Sequence, residues 1–132
     1  MKEKQWKSTE LILDTQVGVV PLDVVRLVYD SYCIKNPHAT TVQQDHAVTQ
    51  HLYCIEDEMF IEDIDAATDT AYRVRGRRAD KKIDMCVFVE KDDHDDVVLT
   101  LHRGQSIKVR GYVQSLQDIL VLFPAVILAY QY

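Results

Sequence analysis

Ser106–Val113 constrains the fold more than any other stretch of this chain. Ile107, Val109, Gly111 and Val113 alternate with Lys108, Arg110 and Tyr112, the period-two pattern of a strand with one buried face. Gly104 breaks the chain just before it. Gly111 lies inside the apolar file, where a missing side chain points to a bend or a close backbone approach, as at a barrel corner. Ser115-Leu116-Gln117-Asp118 then turns the chain into Ile119–Phe123, apolar throughout and expected to be covered on both faces. Pro124 follows with no N–H for a ladder, so an interruption or an edge is expected there.

Leu101-x-x-Gly104-Gln105-x-Ile107-x-Val109-x-Gly111-x-Val113, then a turn and an apolar strand, resembles the last two strands of the tRNA anticodon-binding-like group of OB-folds. The resemblance runs over about Val48–Leu128 and implies a mainly β, five-stranded Greek-key barrel. It permits nucleic-acid binding, although many members of the group have no assigned ligand.

The rest of the chain fits that plan. Leu52–Ile64 reads as the first barrel strand, with Tyr53, Ile55, Met59 and Ile61 inward. Phe60 is out of that register, which places a bulge within Glu56–Glu58. Thr70–Gly76 is the second strand, with Tyr72 and Val74 inward and Arg73 and Arg75 outward. Gly76–Lys82 is a hairpin loop. Ile83–Glu90 is the third strand, with Met85, Val87 and Val89 inward and Cys86 and Phe88 outward. Lys91–Asp96 reads as an acidic loop, and Val97–Leu101 as one short turn where many OB-folds carry a capping helix. The core is expected to hold Met85, Val87, Ile107, Val109 and either Leu120 or Val121.

Ahead of the barrel, Met1–Ser8 is polar and expected to fray, and Thr9–Val20 reads as a short strand or an extended arm. Pro21-Leu22-Asp23 opens a helix well. Leu22, Val25, Val28, Tyr29 and Tyr32 form its apolar stripe, and Asn36-Pro37 stops it. Pro37–His51 is a second, weaker helix with Asn36 as its candidate cap. Residues 1–20 are thus an arm, 21–51 a helical segment and 52–132 the barrel, in one compact domain.

Composition enters through charge. The net charge of −6 opposes general nucleic-acid binding, which rests on Lys and Arg neutralising phosphates. Its distribution is uneven: Asp45–Asp69 holds eight acidic residues and no Lys or Arg, and Arg73–Lys82 holds six basic residues and one acidic one. One surface can therefore meet a polyanion while another repels it. Met1–Trp6 lacks the apolar core of a signal peptide, and no apolar run approaches the ~20 residues of a membrane helix. We expect a cytoplasmic protein with no membrane partner. Cys33, Cys54 and Cys86, odd in number and widely spaced, read as unpaired thiols lying in apolar segments.

The outward residues of strands two to four carry the sharpest functional signal. Arg73, Arg75, Phe88, Lys108, Arg110 and Tyr112 interleave cations with rings, and Arg77, Arg78, Lys81 and Lys82 extend them into the hairpin. Phosphates meet such cations while bases stack on the rings. The plainer alternative is a solvated strand face whose Lys and Arg protect an edge. The acidic run from Glu56 to Asp69 is a solvated face on the same plain view; a hard cation, polyanion mimicry and pairing with a second copy's basic patch are its sharper ones. If the basic face binds nucleic acid, the acidic segment is expected to face away from it. Asp92-Asp93-His94-Asp95-Asp96 invites a metal, but neighbouring acidic residues point apart. The five histidines show no His-Glu-x-x-His spacing, and EF-hand, Walker, dinucleotide and Gly-x-Ser-x-Gly patterns are missing. No enzyme, metal or cofactor is expected.

The expectation is a small OB-fold module that binds single-stranded nucleic acid through the outer face of strands two to four. Its rival is a protein–protein adaptor or inhibitor with an acidic face and an apolar C-terminal interface. The apolar run Ile119–Ala129 reads either as a core strand or as a seam to a partner or a second copy, which makes a homo-oligomer an open expectation.

Overall fold

A computed structural model of the chain describes residues 5–13, 18–80 and 82–131. The order is β1 (Trp6–Ser8), α1 (Leu22–Lys35), α2 (Thr41–Thr49), β2 (Cys54–Ala66), β3 (Ala71–Arg78), β4 (Asp84–Glu90), α3 (Lys91–Val98), β5 (Ser106–Ser115) and β6 (Ile119–Gln131). Strands one to five of the sequence reading are β2–β6. Around the barrel they run β6-β4-β3-β2-β5, and β5 closes back onto β6. Among the described barrel strands β4 and β6 pair in parallel, and the other pairs are antiparallel. A five-stranded closed barrel with that single parallel junction, and two helices ahead of it, is an OB-type architecture.

The alternation reads through to burial. Met85, Val87, Ile107, Val109 and Leu120 are all buried, whereas Val121 stays half-exposed. Ile55, Met59 and Ile61 are buried as well. Phe60 faces outward in ordinary alternation, because β2 pairs with β5 without interruption from Cys54 to Phe60. The bulge lies at Glu62 instead, where Ile61 faces Gly76 and Asp63 faces Arg75. Gly76 makes that bulge fit: a Cβ there would stand 1.8 Å from the Phe60 carbonyl oxygen.

Pro124 does not end the last strand. Leu122 and Ala125 face Val87 and Val89 on β4, and Val113 and Gly111 on β5. Phe123 and Pro124, joined by a cis peptide, are therefore an extra pair opposite single residues on both sides. The missing N–H falls in a bulge, where no ladder bond is required. Gly111 supplies the room, since a Cβ there would meet the Ala125 Cβ at 2.7 Å.

Several local expectations are corrected. Residues 91–96 form most of α3 rather than a loop. Its Asp92 and Asp93 sit at the positive N-terminal end of the helix, and His94, Val97 and Val98 fall on one side. His94 is fully buried. Its Nε2 accepts from the Ile127 N–H at 3.1 Å, so Nδ1–H donates to the Glu90 carbonyl at 2.8 Å. The second helix is capped by Thr40, not Asn36, in a capping box with Gln43. Trp6–Ser8, expected to fray, pairs with Ala129–Gln131 as β1. Thr9–Leu13 has no regular secondary structure, with Glu10 in the left-handed region at φ 63°, and Val19 makes one parallel bridge to Cys54; residues 14–17 of that expected strand or arm lie outside the described residues.

Helix α1 begins after Pro21 and buries Leu22 and Val25, while α2 buries Ala47 and Val48. Gln117 Nε2 donates to the Thr41 carbonyl at 3.1 Å and to Asp45 Oδ1 at 2.9 Å, tying α2 to the β5–β6 turn.

Candidate functional site

Strand β3 buries Val74 and Gly76 and turns Arg73, Arg75 and Arg77 outward, as β4 does with Cys86 and Phe88. Register aligns them in rows that cross three strands. Asp65, Arg73 and Phe88 form one row, and Asp63, Arg75 and Cys86 the next. On the other side of β4, the β6 bulge brings Phe123 beside Phe88, edge to face with centroids 6.1 Å apart. A groove of about 700 Å³ crosses these outer faces. Phe88, Cys86, Val121 and Ile119 form its apolar part, and Arg73, Arg75 and Arg103 its cationic side. Ile119 and Phe123 are 42% and 50% exposed, so the strip is open to a ligand.

Each groove arginine has a carboxylate beside it. Arg73 grips Asp65 with both Nε and Nη2, at 3.0 and 2.5 Å. Arg75 donates to Asp63 Oδ2 at 2.8 Å, and Arg103 reaches Asp63 Oδ1 at 3.4 Å. Hydrogen bonds from Arg75 and Arg103 hold the Asp63 carboxyl below its ordinary range, and Arg73 does the same for Asp65. Arg77 lies between Glu62 and Asp84, and Arg78 binds Asp57 and Asp80 at 2.6 and 3.1 Å. The acidic segment therefore does not face away from the basic one. The two runs are successive antiparallel strands, and opposite charges across such a pair attract. Arg78–Asp57 is the most enclosed of these pairs; the others are a third or more exposed on at least one side, where solvent screening leaves them little net effect on stability.

The structure does not bring all the expected residues together. Arg73, Arg75 and Phe88 line the groove. Arg77 and Arg78 end β3 in their own ion pairs, and Lys82 is exposed beyond the turn. Lys81 lies outside the described residues. Lys108, Arg110 and Tyr112 stand on β5, opposite Glu58, Glu56 and Cys54 of β2, and β5 pairs with neither β3 nor β4. There Arg110 is bound to Glu56, and the Lys108 Nζ sits 4.4 Å over the Trp6 ring.

Arg103, Ile119, Val121 and Phe123 were missed. An all-apolar strand conceals which of its residues point outward, and Arg103 precedes Gly104, whose φ of +84° sets a tight turn. Among the described residues no three His, Cys, Asp or Glu side chains are placed to hold a metal ion. Burial raises the pKa of the Cys54 and Cys86 thiols, which disfavours the thiolate.

No family model matches the chain, and no curated protein does. A chain in the crystal structure of the S. pombe Stn1-ten1 complex is similar to it at 15% identity and a TM-score of 0.42. The match covers 57% of each chain, so it spans little more than half of that relative.

Proposed function

We propose that this chain is a cytoplasmic, non-enzymatic OB-type module that binds single-stranded nucleic acid across β3, β4 and β6. One observation carries the reading. Half-buried Phe88 lines an outer groove with Arg73, Arg75 and Arg103, and 50%-exposed Phe123 stands edge to face beside it at the groove's border. Bases stack on the rings at about 1–3 kcal/mol each, and phosphates take the guanidinium groups in place of Asp63 and Asp65. Because those guanidiniums exchange one anion for another, the salt dependence is shallower than about 0.7 per phosphate contact. The resemblance of the Leu101–Val113 pattern to the anticodon-binding-like group supports this reading. Lys108, Arg110 and Tyr112 are outlying residues that a longer strand reaches.

The test is titration of a fluorescent single-stranded oligonucleotide at about 50 mM salt. Phe88→Ala is expected to weaken binding more than Arg73→Gln with Arg75→Gln, and only the arginine pair to alter the salt slope. No binding at that salt would overturn the reading. A protein partner would then be the better reading, and one feature already favours it. Glu62, Asp63 and Asp84 balance the three arginines, leaving a groove of little net charge that suits a peptide of mixed polarity.

A further inference from the structure

We propose that α1 is a self-association helix, two copies of which pack in parallel through Val24, Leu27, Ser31 and Ile34. The helix has two apolar sides. Leu22 and Val25 are buried on one, with Tyr29 packed against the core. On the other, Val24, Leu27 and Ile34 are 42%, 69% and 79% exposed. A single exposed apolar residue is ordinary. Here the spacing from Val24 through Leu27 and Ser31 to Ile34 is three, four and three. That is the a/d seam of two helices in side-by-side contact, on a face where a solvated helix carries charge.

The charges beside the seam select the occupant. Asp30 directly precedes Ser31, and Lys35 directly follows Ile34. These are flanking positions that meet across a parallel pair, where each residue contacts the one five further along the other helix. Asp30 of each copy thus faces Lys35 of the other, twice over by twofold symmetry. An antiparallel pair would instead set the flank bearing Asp23 and Asp30 against itself. Among the described residues Asp30 and Lys35 make no ion pair within the chain, so both remain available. A seam of two heptads is short, but α1 is already held helical by its packing on the rest of the domain, so nucleation costs nothing on association. No α1 residue lines the groove, and the dimer leaves it open.

Sedimentation velocity of the full chain over a range of concentrations tests this. The wild type is expected to show concentration-dependent dimers, and Leu27→Glu to abolish them. Asp30→Lys alone and Lys35→Asp alone are each expected to raise the dimerisation midpoint about tenfold, because like charges then meet across the seam. Mixing those two variants restores association, since each supplies the charge that the other lacks. All three sites are exposed, and circular dichroism checks that the variants stay folded. A wild type that remains monomeric at its highest soluble concentration overturns the proposal. So do charge variants that associate like the wild type, or a mixture that fails to recover.

Discussion

On the β3–β4 flank, Arg73 and Arg75 stand next to Phe88 and Val121 in an open groove. On the β5 flank, Arg110 is bound to Glu56 and Lys108 lies over Trp6. Both flanks hold alternating cations and a ring, and both set their arginines against β2 carboxylates. They differ in the third neighbour. Beside β4 runs the first half of β6, where Ile119 and the bulge residue Phe123 are exposed; Lys108 and Arg110 face its second half, at Ala129 and buried Val126. On β5 the ring nearest the cation is already engaged with it. What distinguishes the proposed site is the exposed apolar area that strand order sets beside its cations.

Each flank rests on a glycine under a bulge, and the largest effects are expected there. Gly76→Ala drives a Cβ into the Phe60 backbone, which can yield only by moving β2, so we expect a loss of about 3 kcal/mol. Gly111→Ala meets mainly the Ala125 and Leu122 side chains at 2.7 and 3.0 Å and should cost about 1–2 kcal/mol. Urea unfolding of both variants checks the ranking; an equal order would mean that the two bulges are equally compliant, and a reversed one that the Gly111 site is the stiffer.

Next in size is the contrast between rings. Phe88→Ala should lower oligonucleotide affinity by about 1–3 kcal/mol, while Tyr112→Ala on the other flank should leave it nearly unchanged. Equal losses would extend the site onto β5.

A pH titration separates the barrel's interior from both flanks. Burial lowers the His94 pKa from its ordinary 6.5, so the unfolded chain takes up this proton first. The stability from neutral His94 is complete above about pH 6.5 and is lost as pH falls below it, by at most about 1.4 kcal/mol per pH unit. Denaturant midpoints from pH 7.5 to 5 should fall more steeply for the wild type than for His94→Gln. Parallel curves would assign the acid sensitivity elsewhere. The smallest effect is expected from Arg110→Gln, which breaks a half-exposed pair and should change stability by about 0–1 kcal/mol. It should leave binding of a short oligonucleotide unaltered.

The inward positions of β3, β4 and β5 were legible because a face buried inside a barrel enforces period two on the sequence. Ile119–Phe123 was legible as a strand but not in its orientation, since every residue is apolar and the outward ones carry no polar mark. Helix α3 was hidden by its aspartates, although His94, Val97 and Val98 at i, i+3 and i+4 were a faint trace of it. The candidate site was least legible. Arg110 and Arg73 look equivalent along the chain, and what sets them apart is which part of β6 lies near: β4 pairs with Ile119–Ala125, whereas Arg110 faces buried Val126.

Strand β6 also dictates an order of assembly. Without it, β4-β3-β2-β5 is an open sheet whose two outer strands lack partners. Docking of residues 119–131 closes both edges, by a local hairpin with β5 in which Ser115 faces Val121, and by the pairing with β4, which joins residues 84–89 to 119–125 and is the slower to form. The earliest strand, Trp6–Ser8, finds its partner only at the far end of that same segment. Until then the chain presents two bare strand edges that a neighbouring chain can pair with, so crowding during synthesis is the condition under which this barrel is most exposed to misassembly.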